Sequence, residues 1–99
     1  MSNDFILNSD IISVFEKNGV VLLKNMIDNK WQRTLLDAIE EDIKNPGPFF
    51  HAYKTEEDKG NFHGNMRIWE HSQGFKDYCL KSPLPYLAGQ LLNSNKINL

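Results

Sequence analysis

The strongest constraint on the fold is a periodic run of apolar residues that stops at Asn45-Pro46-Gly47-Pro48. Its apolar side chains recur every three or four residues, which predicts an amphipathic helix capped by Asp28. Because the two prolines and the glycine cannot continue a helix, it must end near Lys44. This is the longest helix that the sequence predicts. Its two faces are Trp31, Leu35, Leu36, Ile39 and Ile43 on the inside, and Arg33, Asp37, Glu40 and Glu41 on the outside.

Caps and apolar spacing predict three further helices. Ser9 or Asn8 can cap a helix that the pair Asn18-Gly19 closes. Another helix is predicted over residues 73–81. The pair Ser82-Pro83 ends it and opens the last helix, with Ser82 as the cap and Pro83 in the first turn. The apolar face of that last helix consists of Leu84, Leu87, Ala88, Leu91 and Leu92.

Short strands complete the predicted layout. The apolar run VVLL at residues 20–23 is typical of a strand buried on both faces. Residues 66–69 could form a second strand, and KINL at residues 96–99 the beginning of a third. No period is visible between Phe49 and Met66, and residues 55–60 are a polar, charged loop. We therefore expect a helix-rich α+β fold with a few short strands.

Bulk composition limits the classes of function. Ninety-nine residues allow one small domain, and 40% hydrophobic residues argue against disorder. The formal charge of −2, with Lys and Arg scattered, disfavours nucleic-acid binding. The first residues include no long apolar run, so we expect neither a signal peptide nor a membrane span, and a cytoplasmic protein. The single cysteine, Cys79, is predicted to be a buried small hydrophobe.

The three histidines raise the question of a metal site. Non-haem iron oxygenases use two histidines and a carboxylate, usually beginning with His-x-Asp or His-x-Glu, and none of His51, His63 and His71 starts that pattern. The helical zinc pattern His-Glu-x-x-His is absent from the sequence as well. A zinc site from these histidines and Glu70 is a second interpretation. We favour the interpretation that all three are loop or boundary residues bonded to backbone.

Arg67 and Trp69 are separated by one residue, so on a strand their side chains would share one face. An arginine beside a tryptophan can clamp a carboxylate or a phosphate. It can also brace a loop against the core, and we favour that structural role because the residues around Arg67 are apolar.

The order of these segments resembles the phytanoyl-CoA dioxygenase family. The similar segments begin with Phe15 and the run from Asn18 to Asn25, followed by the helix capped by Asp28. The resemblance is strongest in GNMRIWEHS at residues 64–72, and it continues to the final strand-like residues, so it covers nearly the whole chain. The later matching residues are Phe75, Ser82, Pro83, Leu84, Ala88, Leu91, Leu92 and residues 96–99.

The resemblance implies a double-stranded β-helix, or jelly-roll, oxygenase that uses Fe(II), 2-oxoglutarate and dioxygen to hydroxylate a small organic substrate. It also implies that residues 1–99 are a single incomplete domain, the N-terminal portion before the metal-binding core. The family's metal ligands and cosubstrate arginine would all follow Leu99, so we assign no catalytic, cofactor-binding or metal-binding residue to this chain. Only the segment from Arg67 to His71 is expected near the mouth of an active site. Its substrate-pocket candidates are Arg67, Trp69 and His71.

Partners are predicted from the exposed edges. KINL stops within a predicted strand, so we expect either a partner chain or further sequence to cover it. The edges at residues 20–23 and 96–99 would favour a homo-oligomer, and a small-molecule substrate is expected only in a full-length protein. The alternative to an inactive oxygenase fragment is a non-catalytic α+β module that self-associates or binds another chain.

Overall fold

The structure is a computed structural model, and it describes residues 5–46, 50–53 and 62–98. Over these residues the chain is a mixture of helices and one small antiparallel sheet, which confirms the predicted α+β class. The elements, in chain order, are α1 (Ser9–Asn18), α2 (Asn29–Lys44), β1 (Phe50–Tyr53), β2 (Phe62–Asn65), a 3₁₀ helix (Ile68–Glu70), α3 (Gln73–Lys81) and α4 (Leu84–Leu92).

The predicted ends of α1 and α2 are confirmed by their caps. The Asn8 side chain accepts a hydrogen bond from the backbone N–H of Ile11 at 2.9 Å. Gly19 closes α1 with a φ of +73°, a left-handed conformation that glycine adopts at little cost. Asp28 caps α2 by accepting from the N–H of Trp31 at 3.0 Å. These ends depend on local chemistry, which is why the sequence predicts them.

The boundary between α3 and α4 differs slightly from the prediction. Pro83 occupies the N-cap position of α4, and its side chain cannot form a capping hydrogen bond. Ser82 is buried, and its hydroxyl oxygen accepts a hydrogen bond from the backbone N–H of Leu84 at 3.3 Å. It therefore stabilises the start of α4 from the position before the N-cap, and not from the N-cap as predicted. Within α3, a hydrogen bond from Gln73, with a second from Lys81, holds the pKa of Asp77 below its usual range.

The three predicted strands are wrong for the residues that the structure describes. Residues 20–23 form no strand, and Val20 and Leu22 are 69% and 77% exposed, so this stretch is not buried on both faces. Met66 and Arg67 form a turn, and Ile68 and Trp69 belong to the 3₁₀ helix that follows it. Residues 96–98 belong to no strand, and Leu99 lies outside the described residues. A strand needs a partner edge, and the described residues bring none to these segments.

The observed strands lie where the sequence shows no period. β1 and β2 pair antiparallel, with Phe50 opposite Asn65 and His51 opposite Gly64. A strand of four residues is too short for its alternation to stand out in the sequence. The predicted polar loop at residues 55–60 lies outside the described residues.

The buried face of α2 is rotated from the predicted one. Ala38 and Asp42 are its buried residues, because α3 crosses this face at close range. A Cβ atom placed on Gly74 would lie only 2.8 Å from the Cβ of Ala38. The predicted inner face is therefore partly in solvent. Its exposed members, which we call the exposed stripe of α2, are Leu36, Ile39 and Ile43.

The hydrophobic core of the described residues is small. Leu7, Ala38 and Leu87 are its buried apolar side chains. Cys79 is only half-buried, so its predicted burial is not complete. The radius of gyration is 16.7 Å, whereas a compact domain of this length has about 13 Å. Every helix within these residues is too short or too polar to cross a bilayer.

Gln90 fastens the N-terminal segment to α4, and we expect its replacement to release that segment. Its Oε1 accepts from the N–H of Leu7 and its Nε2 donates to the carbonyl of Phe5, both at 2.7 Å. Gln90→Leu removes both bonds, which should lower the free energy of unfolding by about 1–2 kcal/mol. The direct measurement is hydrogen exchange, in which the Leu7 amide should exchange much faster.

The matched control for this prediction is Gln32→Leu. The Gln32 side chain makes one exposed hydrogen bond, to the carbonyl of Ile27 at 3.1 Å, so its loss should change stability little. Equal effects of the two variants would contradict the role assigned to Gln90.

Candidate functional site

Three polar side chains join the end of α2 to β2. Asp42 accepts a hydrogen bond from His63 Nε2 at 2.6 Å through Oδ2, and one from Asn65 Nδ2 at 2.7 Å through Oδ1. The Asp42 side chain is 9% exposed and that of His63 26%. Hydrogen bonds to a charged acceptor in such surroundings are short and strong. We call these three residues the Asp–His–Asn cluster.

Local structure explains how the cluster forms. His63 and Asn65 are separated by one residue on β2, so their side chains leave the same face of the hairpin. Asp42 lies one turn after Ala38 on the buried face of α2. Phe50, directly opposite Asn65, shares this face of the sheet, and its ring centroid lies 4.8 Å from that of His63.

The hydrogen positions within the cluster follow from chemistry. An ionised carboxylate only accepts, so Nε2 of His63 must carry a hydrogen and the Asn65 amide must turn its Nδ2 toward Asp42. In the neutral imidazole, Nδ1 is then an acceptor. Asn65 Oδ1 points away from Asp42 and is buried, and no described residue donates to it. Asn65 Oδ1 is therefore a buried hydrogen-bond acceptor that has no donor among the described residues.

Two clefts adjoin the cluster. The larger, of about 520 Å³, lies between α2 and the start of α3, and Asp42, Ile68, His71 and Gly74 are among its lining residues. The smaller, of about 300 Å³, contains the cluster itself. The remaining walls of the smaller cleft are Ile39, Ile43, Ile68 and Phe75.

The three candidate pocket residues are only partly brought together. His71 lines the larger cleft, whereas the described linings of the clefts include neither Arg67 nor Trp69. Arg67 adopts a left-handed backbone conformation, with a φ of +53°, and Trp69 lies in the 3₁₀ helix. They do not share a strand face, so that expectation is wrong. The neighbouring Ile68, which the sequence did not single out, lines both clefts.

The Arg67 side chain is largely exposed, whereas the sequence favoured a role in bracing a loop against the core. Its side chain is 62% exposed, and its guanidinium donates to Glu70 at 2.8 Å. That hydrogen bond, with the negative charge of Glu70, raises the pKa of Arg67 above its already high usual value. At this exposure the ion pair contributes little to stability.

One of the three histidines, His63, differs from the favoured interpretation. His63 bonds to a carboxylate side chain and not to backbone, and its partner Asp42 was not identified from the sequence. His51 is exposed on β1, opposite Gly64. The sequence feature that indicates this site is the spacing His63-x-Asn65, because on a strand it places two polar side chains on one face.

The described residues do not form by themselves an iron site of the kind that such oxygenases use. A facial triad needs two histidines and one carboxylate directed at a single point. Within residues 5–46, 50–53 and 62–98, no three His, Cys, Asp or Glu side chains are grouped in that way. Asp42 and His63 are close and bond to each other through Oδ2 and Nε2, but no third such side chain among the described residues joins them.

Comparison with known proteins leaves the chain without a family assignment. No protein-family model matches it. No curated protein matches it, and no solved structure does. What the structure defines is a class: a small α+β chain in which a partly buried Asp–His–Asn cluster lines a largely apolar cleft.

Proposed function

We propose that this chain is the N-terminal helical portion of an Fe(II)- and 2-oxoglutarate-dependent oxygenase of the phytanoyl-CoA dioxygenase family. In such an enzyme it would supply packing surface and a wall near the substrate, and the metal ligands would come from other residues. The observation that carries the proposal is the ordered resemblance that culminates in residues 64–72. By itself the chain would then be inactive.

The placement of residues 64–72 supports this proposal. The segment runs from the end of β2 through the 3₁₀ helix to the cap of α3, and Ile68, His71 and Ser72 line the larger cleft. A segment near the mouth of an active site would be expected to border a cleft in this way. The structure contains no jelly-roll among the described residues, so that part of the fold belongs to the proposal alone.

The small core is a second support. Three buried apolar side chains among the described residues are few, and the exposed apolar ones are numerous and large. Residues 20–23 are the clearest case, because Leu22 is 77% exposed and its backbone belongs to no described strand. A sheet supplied by further residues would cover this apolar surface.

The proposal predicts the reading frame beyond codon 99. The coding DNA should continue into a His-x-Asp or His-x-Glu pattern, a distal histidine and an arginine on a late strand. The protein expressed from that longer frame should bind Fe(II) and convert 2-oxoglutarate to succinate, whereas residues 1–99 alone should do neither.

Two separate histidine substitutions provide the control. Replacing the histidine of the new His-x-Asp by alanine should abolish iron binding, whereas His63→Ala in the same protein should leave iron binding intact, because His63 is bonded to Asp42. A stop codon after Leu99 with no such pattern downstream would refute the proposal, as would iron-dependent turnover by residues 1–99 alone.

A second candidate is a non-catalytic module that self-associates. The exposed stripe of α2 and residues 20–23 favour it, because apolar surface of this kind drives association. Light scattering should then give a dimer that dissociates on replacing Leu22 by serine. Leu80→Ser, at a 54% exposed position on α3, is the control and should leave the dimer intact. A monomer at all concentrations would exclude this candidate.

A further inference from the structure

We infer that the exposed stripe of α2 binds the same stripe of a second copy of this chain, with the two helices antiparallel. In that dimer, Arg33 of each copy pairs with Glu40 of the other. The inference rests on the second candidate function, which is self-association, and it names the surface and the orientation that the dimer uses. It does not depend on the oxygenase proposal.

The exposed stripe is a second face of α2 and not the margin of its buried face. The buried face consists of Ala38, which α3 approaches, and Asp42, which is bonded to the hairpin. Because successive residues of a helix are about 100° apart, the stripe lies about 100–160° round the axis from Ala38. Its members Leu36, Ile39 and Ile43 are 48%, 44% and 59% exposed. Contiguous apolar surface of this kind indicates a site of interaction.

The spacing of the stripe suits a pair of helices. Its residues are separated by three and then four positions, which is the spacing of a coiled-coil seam. In an antiparallel pair whose two-fold axis passes between positions 36 and 39, Leu36 of each copy lies opposite Ile39 of the other. Ile43 then reaches the first turn of the second α2 helix. The stripe is thus complementary to itself, as a two-fold interface between identical copies requires.

Charges on one flank of the stripe select the orientation of the two helices. Arg33 and Glu40 are seven residues apart, so both lie beside the stripe, on the flank away from Asp42. In an antiparallel pair this flank faces itself, and Arg33 of each copy lies beside Glu40 of the other. In a parallel pair it would face the flank of Asp42, which carries the same charge as Glu40. Only the antiparallel orientation therefore brings opposite charges together across the stripe.

Arg33 can exchange its present partner at little cost. Its side chain is 72% exposed, and its ion pair with Asp37 is 4.0 Å long. An ion pair of this length in water contributes little to stability. Between two helices the guanidinium of Arg33 is partly shielded from solvent, where its attraction to Glu40 is screened less. The charge pairs thus select the orientation, and the apolar stripe provides most of the free energy of association.

The first test is sedimentation equilibrium of the whole chain from micromolar to millimolar concentration. The chain should change from monomer to dimer over this range, because three apolar residues from each copy make a small interface. Ile39→Glu places a charge at the centre of the stripe and should weaken the dimer at least about tenfold. Leu80→Glu makes a similar change at a 54% exposed position of α3 and should leave the dimer intact. Circular dichroism should show that both variants remain folded.

The second test uses charge reversal to determine the orientation. Arg33→Glu and Glu40→Arg each place like charges side by side in the antiparallel homodimer, so each should weaken it about fivefold. A mixture of the two variants should recover the dimer, because both cross-helix pairs of the mixed dimer are then of opposite sign. Lys30→Glu changes the charge by the same amount as Arg33→Glu, at an exposed position away from the stripe, and should leave the dimer intact.

The outcomes separate this inference from the candidate function on which it rests. A dimer that Leu22→Ser dissociates and that Ile39→Glu does not would overturn the inference and leave self-association standing. A mixture of the two charge variants that is no more dimeric than either alone would overturn the antiparallel pairing. A monomer at every concentration would overturn both the inference and the second candidate function.

Discussion

Asp42→Ala should lower the free energy of unfolding by about 3 kcal/mol, the largest effect that we expect from a single side chain. The substitution removes the only carboxylate of the Asp–His–Asn cluster and leaves two partly buried donors, His63 Nε2 and Asn65 Nδ2, without their acceptor. For a chain with so small a core, this is a large share of its total stability. Urea unfolding followed by tryptophan fluorescence measures it.

The control is Asp37→Ala, on the same helix. Asp37 is 64% exposed and forms a 4.0 Å ion pair with Arg33, so we expect a loss of at most about 0.5 kcal/mol. A double-mutant cycle with His63→Ala should show coupling between Asp42 and His63. If Asp42→Ala and Asp37→Ala destabilise equally, the cluster does not hold the hairpin to α2.

Gly74→Leu should destabilise the chain by about 2–3 kcal/mol by forcing α2 and α3 apart. A Cβ atom at position 74 would lie 2.8 Å from the Cβ of Ala38, well inside the usual carbon–carbon contact of about 3.5–4.0 Å. Leucine is a better helix former than glycine, so propensity alone predicts a gain of nearly 1 kcal/mol. The sign of the change therefore decides between packing and propensity. Urea unfolding measures it.

Two variants check that interpretation. Lys76→Leu places the same side chain at an exposed position of α3 and should change stability by less than about 0.5 kcal/mol. The double variant Ala38→Gly with Gly74→Ala moves the methyl group from one helix to the other and should be more stable than Gly74→Ala alone. A stabilising Gly74→Leu would show that the close approach of the helices is not as described.

These two contacts also set the shape of the clefts. The close approach at Gly74 fixes the distance across the larger cleft, and the cluster fixes the hairpin that closes the smaller one.

Helix positions could be predicted because they depend on neighbours in the sequence. Asn8, Gly19, Asp28 and Ser72 each satisfy a backbone group within a few residues, and Asn45-Pro46 ends α2 at the expected place. The strands could not be predicted in the same way. VVLL has the composition of a strand, but a strand needs a hydrogen-bonding edge, and the described residues bring none to it.

The Asp–His–Asn cluster was harder to predict from the sequence than the strands. The apolar and charged pattern of α2 places Asp42 on neither predicted face, and the sequence predicts backbone contacts for His63. Asp42 and His63 are 21 residues apart in the sequence, and their contact depends on the hairpin folding back onto α2. Arg67, which looked like a packing residue, is exposed, and the neighbouring Ile68 lines both clefts.

The sequence by itself determined the α+β class, the four helices and most of their caps, because each of these depends on residues within one or two helical turns. Only the tertiary structure decided which face of α2 is buried and which polar residue the hairpin meets. The apolar pattern alone predicted Leu36, Ile39 and Ile43 inside, yet the absence of a side chain at Gly74 lets α3 pack on Ala38 and turns Asp42 inward. Burial depends on the approach of a second element, and no local pattern encodes that distance.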